Sequence, residues 1–158
     1  MGIDPGLRHT GWGIIEIKGN KLTHIANGTV HSSDKEILSY RIKEIYTGLI
    51  KVIDQYQPEY CAVEEVFSNS NPKTTLKLGQ ARGACLLAPA ISNIEVAEYS
   101  TRIIKKAVVG TGTADKNQVK VMVKMLLSNC LIDSEDSADA LAVAICHSHY
   151  YQTSQKLG

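Results

Sequence analysis

A chain of 158 residues, 44% hydrophobic and 21% charged with a formal charge of +1, has the size and composition of one globular domain, expected over 1–151, and not of a disordered or low-complexity protein. At that length roughly 68–70% of the unfolded surface can be buried, so no disulfide or metal staple is required. No run of about 18 apolar residues is present to span a bilayer, and the opening Met1-Gly2-Ile3-Asp4-Pro5-Gly6 is too short and too uncharged for a signal peptide.

The chain opens with strand signals. Ile3 leads into the turn Asp4-Pro5-Gly6, and Gly11 to Lys18 is a mostly apolar run closed by the hairpin dipeptide Gly19-Asn20. Lys21 to His31 continues as a third strand. Period two puts Leu22, His24, Ala26 and Gly28 on one face and Thr23, Ile25, Asn27 and Thr29 on the other. These turns predict an antiparallel N-terminal meander. From Asp34 to Tyr56 the period becomes helical, with Ile37, Leu38, Ile42, Ile45, Leu49, Val52 and Ile53 in phase until Pro58 stops it. Tyr60-Cys61-Ala62-Val63 reads as a buried strand ending at Glu64-Glu65. A helix over Pro72 to Ala90 carries Gly79, Ala81, Gly83, Ala84 and Ala88 on its apolar face, small residues that permit close packing. A strand follows at Asn93 to Glu98, a helix at Thr101 to Val109, the loop Gly110-Thr111-Gly112, and a helix starting at Thr113 or Asp115. The last helix starts near Asp133 or Ser134, and Gln152 to Gly158 is expected to fray. Strands first and then strands alternating with helices predict an α/β fold, a sheet layered with helices.

Charge is unevenly placed. Between Lys73 and Lys124 nine bases face three acids, a net of +6, and the rest of the chain carries −5. A basic middle beside acidic ends fits a polyanion-binding face next to a carboxylate cluster, and equally fits amphipathic helices with solvated lysines. Cys61, Cys85, Cys130 and Cys146 are scattered, form no CxxC pair and sit mostly among apolar neighbours. They read as reduced residues of a cytoplasmic protein. The histidines His9, His24, His31, His147 and His149 show no metal-ligand spacing along the chain.

Four acids stand at element ends. Asp4 ends the first strand, Glu64 ends the buried strand, and Asp136 and Asp139 lie at i, i+3 near the start of the last helix. Strand ends and helix N-termini meet on one edge of an α/β sheet, where ligand sites form. Carboxylates held close repel and raise one another's pKa, a cost that a divalent cation removes. Hard oxygen donors suit Mg2+, with Mn2+ as a substitute, and two ions about 3.5–4 Å apart could activate water and stabilise a leaving oxygen. Singly, Asp4 reads as a turn residue and Asp136 as a first-turn acid favoured by the helix dipole. Glu64 and Asp139, beside apolar runs, are harder to explain by solvation. Strand alternation points Glu65 to the face opposite Glu64.

Five segments carry a resemblance: Gly2-Ile3-Asp4-Pro5-Gly6; Ala62-Val63-Glu64-Glu65-Val66-Phe67; Leu76-Lys77-Leu78-Gly79-Gln80-Ala81-Arg82-Gly83; Val108-Val109-Gly110-Thr111-Gly112 with Lys116; and Asp136-Ser137-Ala138-Asp139-Ala140-Leu141-Ala142. In this order and spacing, from Gly2 to about His147, the chain resembles the bacterial RuvC family of Holliday junction resolvases. One departure is that only Met1-Gly2-Ile3 precede Asp4, fewer apolar residues than the family usually carries there. The resemblance implies an RNase H-like fold, a homodimer, and nicking of two opposed strands of a four-way DNA junction with two Mg2+ ions per subunit. It also implies a branch-migration complex (RuvA and RuvB) as partner. The family's catalytic acids fall on Asp4, Glu64, Asp136 and Asp139, its junction-contacting phenylalanine on Phe67, and its functional lysines on Lys105 and Lys116.

Phe67, the one phenylalanine, precedes the polar stretch Ser68-Asn69-Ser70-Asn71, where an apolar ring could stack on bases or cap the core. Lys77, Arg82 and Arg102 are expected as phosphate contacts, or as plain surface. The small-residue face of the Pro72 to Ala90 helix is expected to contribute to a dimer interface. Rival readings stay open. Ile3-Asp4-Pro5-Gly6 faintly resembles the phosphate turn of actin-like ATPases, although one lobe is too few for that fold. A junction-binding architectural protein and an RNA-directed RNase H-like nuclease are the others, and nothing legible here reads a 2′-hydroxyl.

Overall fold

A computed structural model describes the chain over residues 1–65 and 70–157, with side chains as far as Thr153. The meander consists of β1 (Gly2–Asp4), β2 (His9–Lys18) and β3 (Lys21–His31). Then come α1 (Leu38–Tyr56), β4 (Tyr60–Glu64), α2 (Pro72–Ile91), β5 (Glu95–Tyr99), α3 (Thr101–Val109), α4 (Lys116–Leu126) and α5 (Glu135–Leu157). Strand order is β3-β2-β1-β4-β5, with β1, β2 and β3 antiparallel and β4 parallel to both β1 and β5. This is the mixed α/β sheet that the turn and period signals predict. The stretch expected to fray instead continues α5, and Gln152 Nε2 donates to the Gly19 carbonyl at 2.7 Å. Among the described residues no helix is long and apolar enough to cross a membrane.

Helices cover both faces of the sheet. On one side α1 and α2 pack over Ile3, Ile14, Cys61 and Val63. On the other, α3, α4 and α5 pack over Ala62, Ile15 and Leu22. A central parallel strand buried on both faces needs apolar residues at every position, which is why Cys61-Ala62-Val63 shows no alternation. Cys61, Cys85 and Cys146 are buried free thiols, and burial pushes each up to about 12, leaving them protonated and inert.

Helix α5 lies on its strands with almost nothing between. A Cβ on Gly2 would stand 2.1 Å from the Ala140 carbonyl oxygen, one on Gly11 2.0 Å from that of Asp136, and one on Gly13 2.6 Å from Leu141 Cδ2. Glycine is required at these positions because helix and strand backbones touch there.

Two readings of side-chain direction need correction. The β2–β3 register shifts between Ile14 and Ile15, so Ile14 pairs with Ala26 and Ile15 with His24, leaving Ile25 as an extra residue. A bulge of this kind reverses the alternation beyond it. Leu22 therefore faces α5, and so do Asn27 and Thr29, which simple alternation puts on opposite faces. In α2 the small residues also divide. Ala81, Ala84 and Ala88 are buried within this chain, whereas Gly79 and Gly83 face open space beside the exposed Leu76, Leu87 and Ile91.

Candidate active site

Parallel pairing sets Ile3 beside Val63, so the next residues, Asp4 and Glu64, emerge side by side where β1 and β4 end. The glycine seats on β1 and β2 bring the start of α5 to the same edge. Its cap is reciprocal. Ser134 N donates to Ser137 Oγ at 2.9 Å, and Ser137 N donates to Ser134 Oγ at 3.0 Å. The loop before it is tied to β3: Asn27 Nδ2 donates to the Leu131 carbonyl at 2.8 Å and Asp133 N donates to Asn27 Oδ1 at 2.9 Å. Thr29 Oγ1 and Ser134 Oγ are 2.7 Å apart. With the start of α5 fixed, Asp136 and Asp139 fall one turn apart on the face toward Asp4.

The four carboxylates line one cleft of about 350 Å³, together with Pro5, Glu65, Thr101, Lys105 and Lys116. Burial, with the charges of Glu64, Asp139 and Asp136 and a hydrogen bond to Glu64, holds the Asp4 carboxyl up at about 9. Without a cation the site therefore keeps a proton on Asp4. Burial raises Asp139 too, against the opposing pull of Lys116, whose Nζ lies 3.7 Å from Asp139 Oδ2. Thr101 Oγ1 donates to Glu64 Oε1 at 2.6 Å and fixes that carboxylate's rotation.

Among the described residues, no three His, Cys, Asp or Glu side chains converge closely enough to hold a metal ion as they stand. The donor chemistry nevertheless fits a hard divalent cation. Every donor is a carboxylate oxygen, and the set is crowded enough with like charge that a cation would relieve the same repulsion that helps hold Asp4 protonated.

The remaining expected residues are differently placed. Lys105 and Lys116 line the cleft. Lys77 and Arg102 are exposed, and the Arg102 stem packs against Gly112. Arg82, expected as a DNA contact, turns inward: its side chain is 19% exposed, Nε donates to the Glu64 carbonyl at 3.3 Å, and one terminal nitrogen lies 3.0 Å from Glu98 Oε1. That nitrogen makes no aligned hydrogen bond, so the contact is a charge pair bracing the ends of β4 and β5. Glu65 reaches the cleft because β4 ends at Glu64 and strand alternation no longer applies. Phe67 lies outside the described residues. Thr101, Asn27 and Thr29 escaped sequence reasoning. A Ser-Thr pair after a strand signals a cap and gives no hint of a carboxylate partner 37 residues away.

Comparison with known proteins places this arrangement. The family profile described as "Crossover junction endodeoxyribonuclease RuvC" matches residues 1–147. A RuvC of that description from Rhodospirillum rubrum is 53% identical over 150 residues, 95% of this chain and 89% of the relative. Another from Paramagnetospirillum magneticum is 52% identical over 157 residues, 99% of this chain and 95% of the relative. Thermus thermophilus RuvC in complex with a Holliday junction substrate superposes with a TM-score of 0.89 at 33% identity, covering 97% of this chain and 94% of that one. The yeast mitochondrial Holliday junction resolvase Ydc2 shares the fold alone, with a TM-score of 0.64 at 12% identity over 99% of this chain and 83% of that one. The RNase H-like fold implied by the sequence motifs is the fold found. Matched by the profile over residues 1–147 and by relatives more than 50% identical along nearly its whole length, this chain belongs to the RuvC family of crossover junction endodeoxyribonucleases.

Proposed function

We propose that this chain resolves four-way (Holliday) DNA junctions in recombination and repair. In this reading it is a cytoplasmic homodimer that makes paired symmetric nicks using two Mg2+ ions per subunit. The observation that carries the reading is the convergence of Asp4, Glu64, Asp136 and Asp139 from three separate elements on one cleft. The kinship to a RuvC solved with junction DNA supports the substrate.

Asp4, whose carboxyl feels Glu64, Asp139 and Asp136, would hold such ions together with those three acids. Divalent ions bound there would neutralise the carboxylates, polarise the phosphodiester and make water a stronger nucleophile. The residues supply the rest. Thr101 holds Glu64 in one rotamer. Lys116 and Lys105, on the cleft rim, offset charge developing on the phosphate. Water attacks phosphorus in line, the bond to the 3′ oxygen breaks, and the water's protons pass to solvent and to the leaving oxygen, giving a 3′-hydroxyl and a 5′-phosphate. Lys77 and Arg102 contact backbone phosphates, which makes binding steeply salt-dependent. Phe67 stacks on bases at the crossover.

One cluster per chain makes one cut, so two symmetric cuts call for a two-fold dimer. The outer face of α2 is the surface for it. Leu76, Gly79, Gly83, Leu87 and Ile91 form an exposed stripe along the helix, and the glycines allow close approach. A branch-migration complex of RuvA and RuvB delivers the junction. The deciding experiment compares cleavage of a synthetic four-way junction, a plain duplex and an RNA–DNA hybrid, with and without Mg2+. Paired cuts in the junction alone, dependent on the ion, are expected. Equal cutting of duplex or hybrid would overturn the junction assignment. Sedimentation as a monomer at micromolar concentration would overturn the dimer.

A further inference from the structure

The histidines lack ligand spacing along the chain, but the sheet brings two of them together. His9 opens β2 and His31 closes β3, and the antiparallel register sets them directly opposite. Their rings meet edge to face with centroids 5.0 Å apart, and the two Nδ1 atoms are 2.9 Å apart. Both residues are exposed. The backbone beneath them is fixed: buried Thr10 donates from Oγ1 to the Gly6 carbonyl at 2.7 Å, and Ser32 N donates to the Arg8 carbonyl at 3.1 Å. The neighbouring charge of Arg8 is paired with Asp34 at 3.2 Å.

We propose that His9 and His31 form a binding site for one divalent transition-metal ion of the copper or nickel type, separate from the acid cleft. Neutral imidazole nitrogens suit such ions, whereas Mg2+ prefers oxygen. With metal–nitrogen bonds of about 2.0–2.1 Å, two neighbouring ligands of one ion stand about 2.9–3.3 Å apart. The two Nδ1 atoms, at hydrogen-bond distance, are already within that reach, and the affinity of nitrogen sites for divalent ions rises through nickel to copper. In the metal-free pair one Nδ1 carries the proton that joins the rings. On binding, both Nδ1 lone pairs face the ion, so both rings take the tautomer that carries its proton on Nε2. Water completes the coordination, since among the described residues no third His, Cys, Asp or Glu joins the pair.

Cu2+ is the probe, titrated into the protein in a large excess of Mg2+, which occupies the carboxylate cleft. Electron paramagnetic resonance should show one Cu2+ per chain with two equatorial nitrogens. His9→Asn and His31→Asn, at exposed positions, should each weaken the calorimetric affinity at least tenfold while leaving circular dichroism unchanged. A spectrum with oxygen ligands alone, or an affinity untouched by either substitution, overturns the site.

Discussion

Helices α5 and α2 are both rich in small residues, and they use them in opposite ways. Along α5, alanines meet strand glycines on the inside, so helix and sheet are in backbone contact and the first turn is held against β1. In α2 the alanines face inward, the glycines face outward, and a stripe of leucine and isoleucine beside them is exposed. Smallness on the inside lets backbones touch, and here it sets where α5 and its two carboxylates lie against the sheet. Smallness on the outside constrains nothing within the chain and makes sense when a second surface approaches.

Substitutions can break or sharpen that contrast. Asp139→Asn on α5 should reduce junction cutting by at least about 10³-fold in a single-turnover assay while junction binding persists. Leu87→Asp on α2 should leave each subunit able to nick but uncouple the paired cuts, seen as nicked junctions accumulating alongside a monomer in sedimentation. Equal losses from both substitutions would erase the distinction. Gly11→Ala comes next, because its Cβ would fall 2.0 Å from a helix carbonyl oxygen. It should cost about 1–3 kcal/mol or more in a denaturant titration and lower activity with it.

Asp4→Asn separates activity from stability. The folded-state value of about 9 stands above the ordinary 3.8, so folding takes up a proton. The stability this contributes is fully present below about pH 4 and is lost as the pH rises toward 9. The metal-free Asn variant should therefore melt at least a few degrees above the parent chain at pH 8, and the gain should vanish near pH 4. A variant that melts lower at pH 8 would mean that burial and the neighbouring acids do not hold Asp4 protonated. The smallest effect belongs to α2. Gly83→Ala places its Cβ in open space and should stabilise the isolated chain by about 0.5–1 kcal/mol, while weakening association if a second helix packs there.

Much of this is legible in the sequence because local signals agree with the fold. The turns Asp4-Pro5-Gly6 and Gly19-Asn20, the breaker Pro58 and the switch of period after Asp34 mark the elements to within a few residues. Glu64 and Asp139 stand out because charge at the end of an apolar strand or beside an apolar stripe is costly without a partner, and Asp4 and Asp136 join them only through their places at element ends. What is hidden depends on pairing. The bulge at Ile25 arises from how β2 and β3 register, and no residue in β3 announces it, yet it turns Asn27 and Thr29 toward α5. Arg82 looks like any cation on a polar helix face until β4 and β5 supply Glu98 and a free carbonyl beside it. Likewise the apolar face of α2 is one stripe in projection, and packing on α1 divides it.

Asp4 and Asp139 sit 135 residues apart in sequence, one on β1 and the other on α5. A growing polypeptide thus holds an incomplete set of these carboxylates until α5 has been made. The sheet can form early, but the cleft gains Asp136 and Asp139 only when α5 docks, so a truncated product lacking that helix keeps just Asp4 and Glu64 of the four acids.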